Sequence, residues 1–181
     1  DFFKTDVKDK FDAIELIPES IITKKVTVSY SDSLSKVCVI ERHHNLGTKG
    51  IGFVTNYGIT NGAIATSIGH DSHNVIVIGD NDSDMALAVN TLATSGGIAV
   101  CSEGKVIASM TLDIAGLMSV KSADEVTREH DNLYSAAKVL NITDKITFVN
   151  NKNKNLKINI LYTANNTIKI ELSENNTENE I

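Results

Sequence analysis

From Ala65 to Gly79 the chain reads ATSIGHDSHNVIVIG, setting His70, Asp71, Ser72, His73 and Asn74 between two apolar runs. Two imidazoles and a carboxylate within four positions are the raw material of a metal site or of a polar substrate pocket. On a strand, residues three apart point to opposite faces, so His70 and His73 cannot share a ligand. On a turn capping a strand that begins at Val75 they converge, and with Asp71 they supply the three-ligand set that hydrolytic metals use. The plainer alternative is that Asp71 and Ser72 cap the backbone while the histidines hydrogen-bond to a neighbouring loop. His70 and His73 are therefore candidate metal ligands, and all five residues from His70 to Asn74 are candidate pocket residues.

A second polar run, Glu41-Arg42-His43-His44, follows an apolar stretch in the same way. Charged groups at a strand end are ordinarily just solvated. If the fold sets this run beside residues 70–74, imidazoles, carboxylates and a guanidinium gather in one place, which favours a site. Glu41, Arg42 and His43 join the pocket candidates on that condition. Other motifs fall away. DNDSD (80–84) opens like a calcium loop, but the sixth position is Met85 and the twelfth Thr91, where glycine and an acid are required. Ser72 lacks the glycines of a nucleophile elbow, and GITNG is neither a dinucleotide nor a P-loop fingerprint. His130 reads as a half-buried helix residue with a local partner.

The elements that must position these residues follow from periodicity. Ile22–Tyr30 and Lys36–Glu41 are rich in β-branched residues, and SDSLS between them predicts a hairpin. The next segment, 42–74, holds six of the eleven glycines and reads as short strands and turns. NVIVIG predicts a strand covered on both faces, in the middle of a sheet. Asn81 or Ser83 caps a helix expected over 83–95, with Gly96 or Gly97 as its stop. GIAVCS and KVIASMTL flank Glu103-Gly104 as a hairpin. Ser122-x-x-Glu125 is a capping box that opens a second helix to about Leu140, with Val126, His130, Leu133, Ala137 and Leu140 along one stripe.

The expected fold is α+β, a mixed α/β layered domain whose sheet is mainly antiparallel or mixed, with two helices of about 13–18 residues. The domain is expected over 1–145. Residues 146–172 form an Asn/Lys/Ile-rich tail with a possible hairpin, and 173–181 are expected to be disordered.

Across 181 residues the net charge is −6 and the basic residues are scattered, which argues against nucleic acid. No apolar run nears the roughly 20 residues that span a bilayer. Cys38 and Cys101 lie in apolar runs without a CxxC pairing, as expected for reduced thiols in a cytoplasmic protein. The first residue is Asp1 and the opening stretch is charged, which reads as a segment of something longer.

Taken in order, these motifs resemble the C-terminal domain of the bacterial adenine deaminase family. The family's Glu-Arg-His at a strand end is matched by Glu41, Arg42 and His43, and its Ala-His-Asp-Ser-His-Asn run from His70 to Asn74, with Gly69 in place of alanine. Asp84–Ala88 match its Asp-Met-Ala-Leu-Ala, and Ile114–Ser119 match its Ile-Ala-Gly-Leu-Met-Ser, with Asp113 where proline is usual. The likeness covers about residues 13–140; the tail departs from it. It implies hydrolytic deamination of adenine to hypoxanthine and ammonia, with manganese or iron held in an amidohydrolase barrel of the same protein. Such a barrel takes about 250 residues, so this chain is expected to be the C-terminal portion and inactive alone. The barrel and adenine are the implied partners, with homo-oligomerisation expected. The rival reading is a non-catalytic structural, oligomerisation or ligand- or metal-binding module.

Overall fold

The computed structural model describes residues 2–5, 9–17, 22–29, 34–69 and 72–141, and the backbone of three further strands, 150–151, 154–163 and 167–174. His70 and Asp71 lie outside the described residues, as does 175–181 of the expected disordered tail. The elements in chain order are β1 Lys10–Leu16, β2 Thr23–Ser29, β3 Leu34–Ile40, β4 Lys49–Thr55, β5 Ala63–Thr66, β6 Val75–Gly79, α1 Asp82–Thr91, β7 Gly97–Ser102, β8 Lys105–Thr111 and α2 Ala123–Val139. They are followed by β9 Asn150–Asn151, β10 Lys154–Thr163 and β11 Thr167–Glu174, which form a separate antiparallel sheet.

The first eight strands make one sheet in the order β2-β1-β4-β3-β6-β5-β7-β8. Every pairing is antiparallel except β1 with β4, which are parallel over two residue pairs, Ile14–Val54 and Glu15–Thr55. The sheet is therefore mixed, and with two helices the domain is α+β. β6 sits in its interior with all five residues buried, as a strand apolar on both faces must.

Two sequence expectations need correction. β2 and β3 form no hairpin: β2 pairs with β1, while β3 lies between β4 and β6. Burial explains the choice. LSKVCVI is buried or half-buried throughout and needs neighbours on both sides, whereas TKKVTVS carries two exposed lysines suited to an edge. The first helix also ends at Thr91, not 95. Its last bonds tighten to i→i+3, with the Ala93 N–H donating to Asn90 O, and Gly96 at φ +68 closes the turn by donating to Leu92 O. β1 arises from an opening stretch whose few apolar residues gave no strand expectation.

Strand alternation divides the core between two layers. Val37, Val39, Ile64, Ile76, Ile78 and Val100 face α2 and pack with Leu133, Ala137 and Leu140. Cys38, Ala63, Ala65, Val77, Ala99 and Cys101 face α1 and pack with Met85, Ala88 and Leu92. The small residues beneath α1 admit the helix closely; the branched residues beneath α2 each contribute about 1.5–3 kcal/mol on burial.

Register fixes what lies at each end of the sheet. Ile40 pairs with Val75, Thr66 with Ile76 and Ile98, and Gly97 with Thr111. Residues 41–48, 67–69, 72–74 and 112–118 therefore emerge together. Gly79 pairs with Ala63, and Ala63 with Cys101, so residues 61–62, 80–84 and 102–104 share the opposite end.

Candidate functional site

Glu41 begins the loop that joins β3 to β4. Its carboxylate turns back on that loop and accepts from the backbone N–H groups of His43 at 2.6 Å, His44 at 2.7 Å and Leu46 at 3.0 Å. Asn45 and Gly47 take positive φ to complete the turn. These bonds favour the charged form. The Leu46 N–H, then those of His44 and His43, hold the Glu41 carboxyl at a pKa of about 2, against an ordinary 4.5, despite an opposing push from desolvation.

Arg42 reaches from this loop to two others. Its Nε donates to the His73 carbonyl and its Nη2 to the Ala115 carbonyl, both at 2.6 Å. The Ala115 loop closes on itself, with Ile114 N–H donating to Met118 O at 2.9 Å and Met118 N–H to Ile114 O at 3.1 Å. Glycine suits position 116: φ is +71, and a Cβ there would lie 2.8 Å from Arg42 Nη2, so the guanidinium would have to shift. Beneath it Ser67 Oγ donates to Gly116 O at 2.5 Å and accepts from Gly97 N–H at 2.7 Å, which pins the loop to the ends of β5 and β7.

His43 completes the cluster, its Nε2 lying 2.8 Å from the Ser72 carbonyl. A carbonyl only accepts, so Nε2 carries the proton and neutral His43 is left with Nδ1 as acceptor. The following residue pair is less settled. His73 adopts φ +48, in the left-handed region that few side chains enter and histidine enters more readily than most, and its N–H donates to Gly69 O at 2.9 Å. Its Nδ1 is buried without a hydrogen-bond partner among the described residues, and so is Asn74 Oδ1. Native structures leave few buried polar atoms unpaired, and those that exist call for an explanation.

The fold thus brings Arg42 and His43 to Ser72 and His73, with Glu41 ordering the loop that presents them. Asn74 adjoins the cluster at the start of β6, and its N–H lies 3.4 Å from Ser72 Oγ. Three contributors were not singled out as site residues from sequence: Ala115, Gly116 and Ser67. The signal for Ala115 and Gly116 was the Ile114–Ser119 motif, which carried likeness but no assigned role; Ser67 lies in the ATSIG run that opens the histidine segment.

Among the described residues no three of His, Cys, Asp or Glu come close enough to share a metal ion. His43 Nε2 faces a carbonyl as a donor, so that nitrogen is not a ligand. Cys38 and Cys101 offer no nucleophile, because burial pushes both thiols up to about 11. A separate open groove of 560 Å³ between β8 and α2, lined by Ile107, Ala108, Asn132, Ala136 and Val139 among others, draws no residue from the cluster. What the cluster provides is a rigid polar platform: a guanidinium clamp across three loops, an anionic carboxylate, and two imidazoles.

Comparison with known proteins completes the picture. The family described as adenine deaminase C-terminal domain matches residues 15–152. The adenine deaminase of Nitratidesulfovibrio vulgaris (strain DP4) is 48% identical over 107 residues, covering 59% of this chain and 19% of that protein. That of Clostridium botulinum (strain ATCC 19397 / Type A) is 44% identical over 145 residues, covering 72% of this chain and 24% of its own. The adenine deaminase of Methanococcoides burtonii is 44% identical over 138 residues, with 69% and 24% covered. The chain spans a quarter or less of the length of these relatives.

Proposed function

The chain belongs to the adenine deaminase C-terminal domain family, and from that premise we propose that it forms the C-terminal portion of an enzyme that hydrolyses adenine. In the reaction, water adds to the ring carbon bearing the amino group, ammonia leaves, and hypoxanthine remains. The single observation that carries this reading is the family match over residues 15–152, which runs through all three loops tied together by Arg42.

The described residues contain no donor set for the manganese or iron that such a hydrolysis uses. In this reading the metal belongs to the larger portion of the enzyme, in a barrel outside this chain. The chain's own contribution is the platform. Arg42 holds the loops in register, and His43 and His73 lie toward the barrel, where they help to enclose the adenine pocket. The buried thiols and the acidic, unpatterned surface suit a cytoplasmic enzyme. Among the described residues no helix is long and apolar enough to cross a membrane. Assembly into a homo-oligomer is part of the same proposal.

The test is an adenine-loss assay with added Mn²⁺ or Fe²⁺. The chain alone should show no turnover, and a chimera in which it replaces the matching segment of the Clostridium botulinum enzyme should show it. Turnover by the isolated chain would place the catalytic centre here and overturn the division of labour. A silent chimera that is folded would overturn the proposed reaction.

The rival, a structural module, draws on one observation: every bond given for Glu41 and Arg42, apart from the contact of Glu41 with His44, goes to backbone. In the chimera, His73→Ala separates the two. Loss of turnover at unchanged thermal stability supports a pocket role; loss of stability alone supports the rival.

A further inference from the structure

The end of the sheet that carries the Arg42 cluster also carries apolar side chains that nothing among the described residues covers. Leu46 is 65% exposed and Met118 58%, with Ile68 and Ile114 also exposed. They come from three segments far apart in sequence, yet the bonds already described set them around one centre. Leu46 hangs on the Glu41 carboxylate, Ile68 follows the Ser67 that holds Gly116, and Ile114 and Met118 are the two ends of the loop that Arg42 clamps.

We infer that this apolar rim is the docking surface for the larger part of the enzyme, seated so that the polar cluster at its centre meets that part. The inference rests on the proposed function and deepens it.

Three observations choose the occupant and the face. The curated relatives have three quarters or more of their length outside the segment matched here, so in them a domain several times larger shares the chain with this one. Clustered apolar side chains left in solvent mark a contact surface, and a ring of such contacts excludes water from the groups it encloses. Ala115, whose carbonyl Arg42 clamps, is held at φ +56, a left-handed conformation that strains an alanine. With His73 Nδ1 and Asn74 Oδ1 unpaired at the same place among the described residues, this end is ordered at a cost that an isolated domain has no use for.

Hydroxyl-radical labelling of methionine tests the surface. Met118 is exposed, and Met110, 6% exposed on β8, is an internal reference. In the chain alone Met118 should oxidise fast and Met110 slowly. In the Clostridium botulinum chimera Met118 labelling should fall by about fivefold while Met110 stays slow and the exposed Val106 is unchanged. Equal Met118 labelling in both proteins overturns the inference. Should the chimera fail to fold, the same comparison is made with the chain mixed with an excess of the separately expressed remainder of that enzyme, and unchanged Met118 labelling again overturns it. Protection of Met118 in the chain alone that grows with its concentration assigns the surface to a second copy and also overturns it. Adenine turnover is read separately. Protection without turnover keeps the surface and removes the reaction; turnover with Met118 still labelled fast keeps the reaction and removes the surface.

Discussion

The two ends of the central sheet each carry a polar cluster, and the two are built to opposite specifications. At the α1 end, Asp84 is 2% exposed and accepts from Gly104 N–H at 2.8 Å and Asn81 Nδ2 at 2.9 Å. Asn81 Oδ1 in turn caps the helix by accepting from Asp84 N–H. Asp80 accepts from the N–H groups of Asn61 and Gly62, and Ser102 Oγ donates to Asn61 O. No side-chain atom described at that end is buried without a partner. At the Arg42 end the carbonyls are tied together, but His73 Nδ1 and Asn74 Oδ1 are left over and apolar side chains stand in solvent. A polar cluster that satisfies itself belongs to the fold. One that holds unpaired groups in place is available to something else.

Mutations grade that contrast. The largest effect is expected from Asp84→Ala, which removes the buried carboxylate that accepts from Gly104 N–H and steadies the capping side chain of Asn81, and should cost about 2–3 kcal/mol in urea unfolding. A loss below about 1 kcal/mol would mean that the α1-end cluster is not a stability element. Gly116→Ala comes next. Its Cβ meets Arg42 and its φ disfavours a side chain, so a cost of about 1–2 kcal/mol is expected, with faster amide exchange in 113–118. Acid should open the Arg42 end locally. The Glu41 pKa is lowered on folding, so its contribution is present above about 4.5 and is lost as pH falls toward about 2. Amide exchange at His43, His44 and Leu46 followed down that range should rise, and Glu41→Gln should remove the pH dependence. The smallest effect, and of opposite sign, is expected from His73→Gly. It relieves a positive φ and removes an unpaired nitrogen, so stability should rise by about 0.5 kcal/mol. A large loss would place His73 among the fold's own supports and break the comparison.

The sequence made the α1 end easier to read than the other. Asn81 before Asp82 and Asp84 is a local signal, and so is the Ser122–Glu125 capping box, in which Ser122 Oγ and the Glu125 carboxylate each satisfy the other's backbone N–H. Buried strands such as VIVIG are equally plain. Strand partners were less so, because pairing is decided by which edges remain free and not by the turn between two strands. That is why β2 pairs with β1. At the Arg42 end, residue types marked 41–43 and 72–74 as able to meet, but only the register of β3 on β6 brings them within reach. The part played by Ala115 was illegible for a further reason: Arg42 binds it through its carbonyl, a group every residue possesses.

The N-terminal hairpin joins the rest of the sheet differently from every other strand. β1 and β2 pair along seven residues, yet β1 meets β4 over two, helped by Phe11 packed at a tilt against Phe53 with ring centroids 4.6 Å apart. Such a seam is the natural place for fraying. The hairpin can peel away as one piece while the six-stranded remainder keeps its hydrogen-bond ladder, so the protein's melting need not be all-or-none.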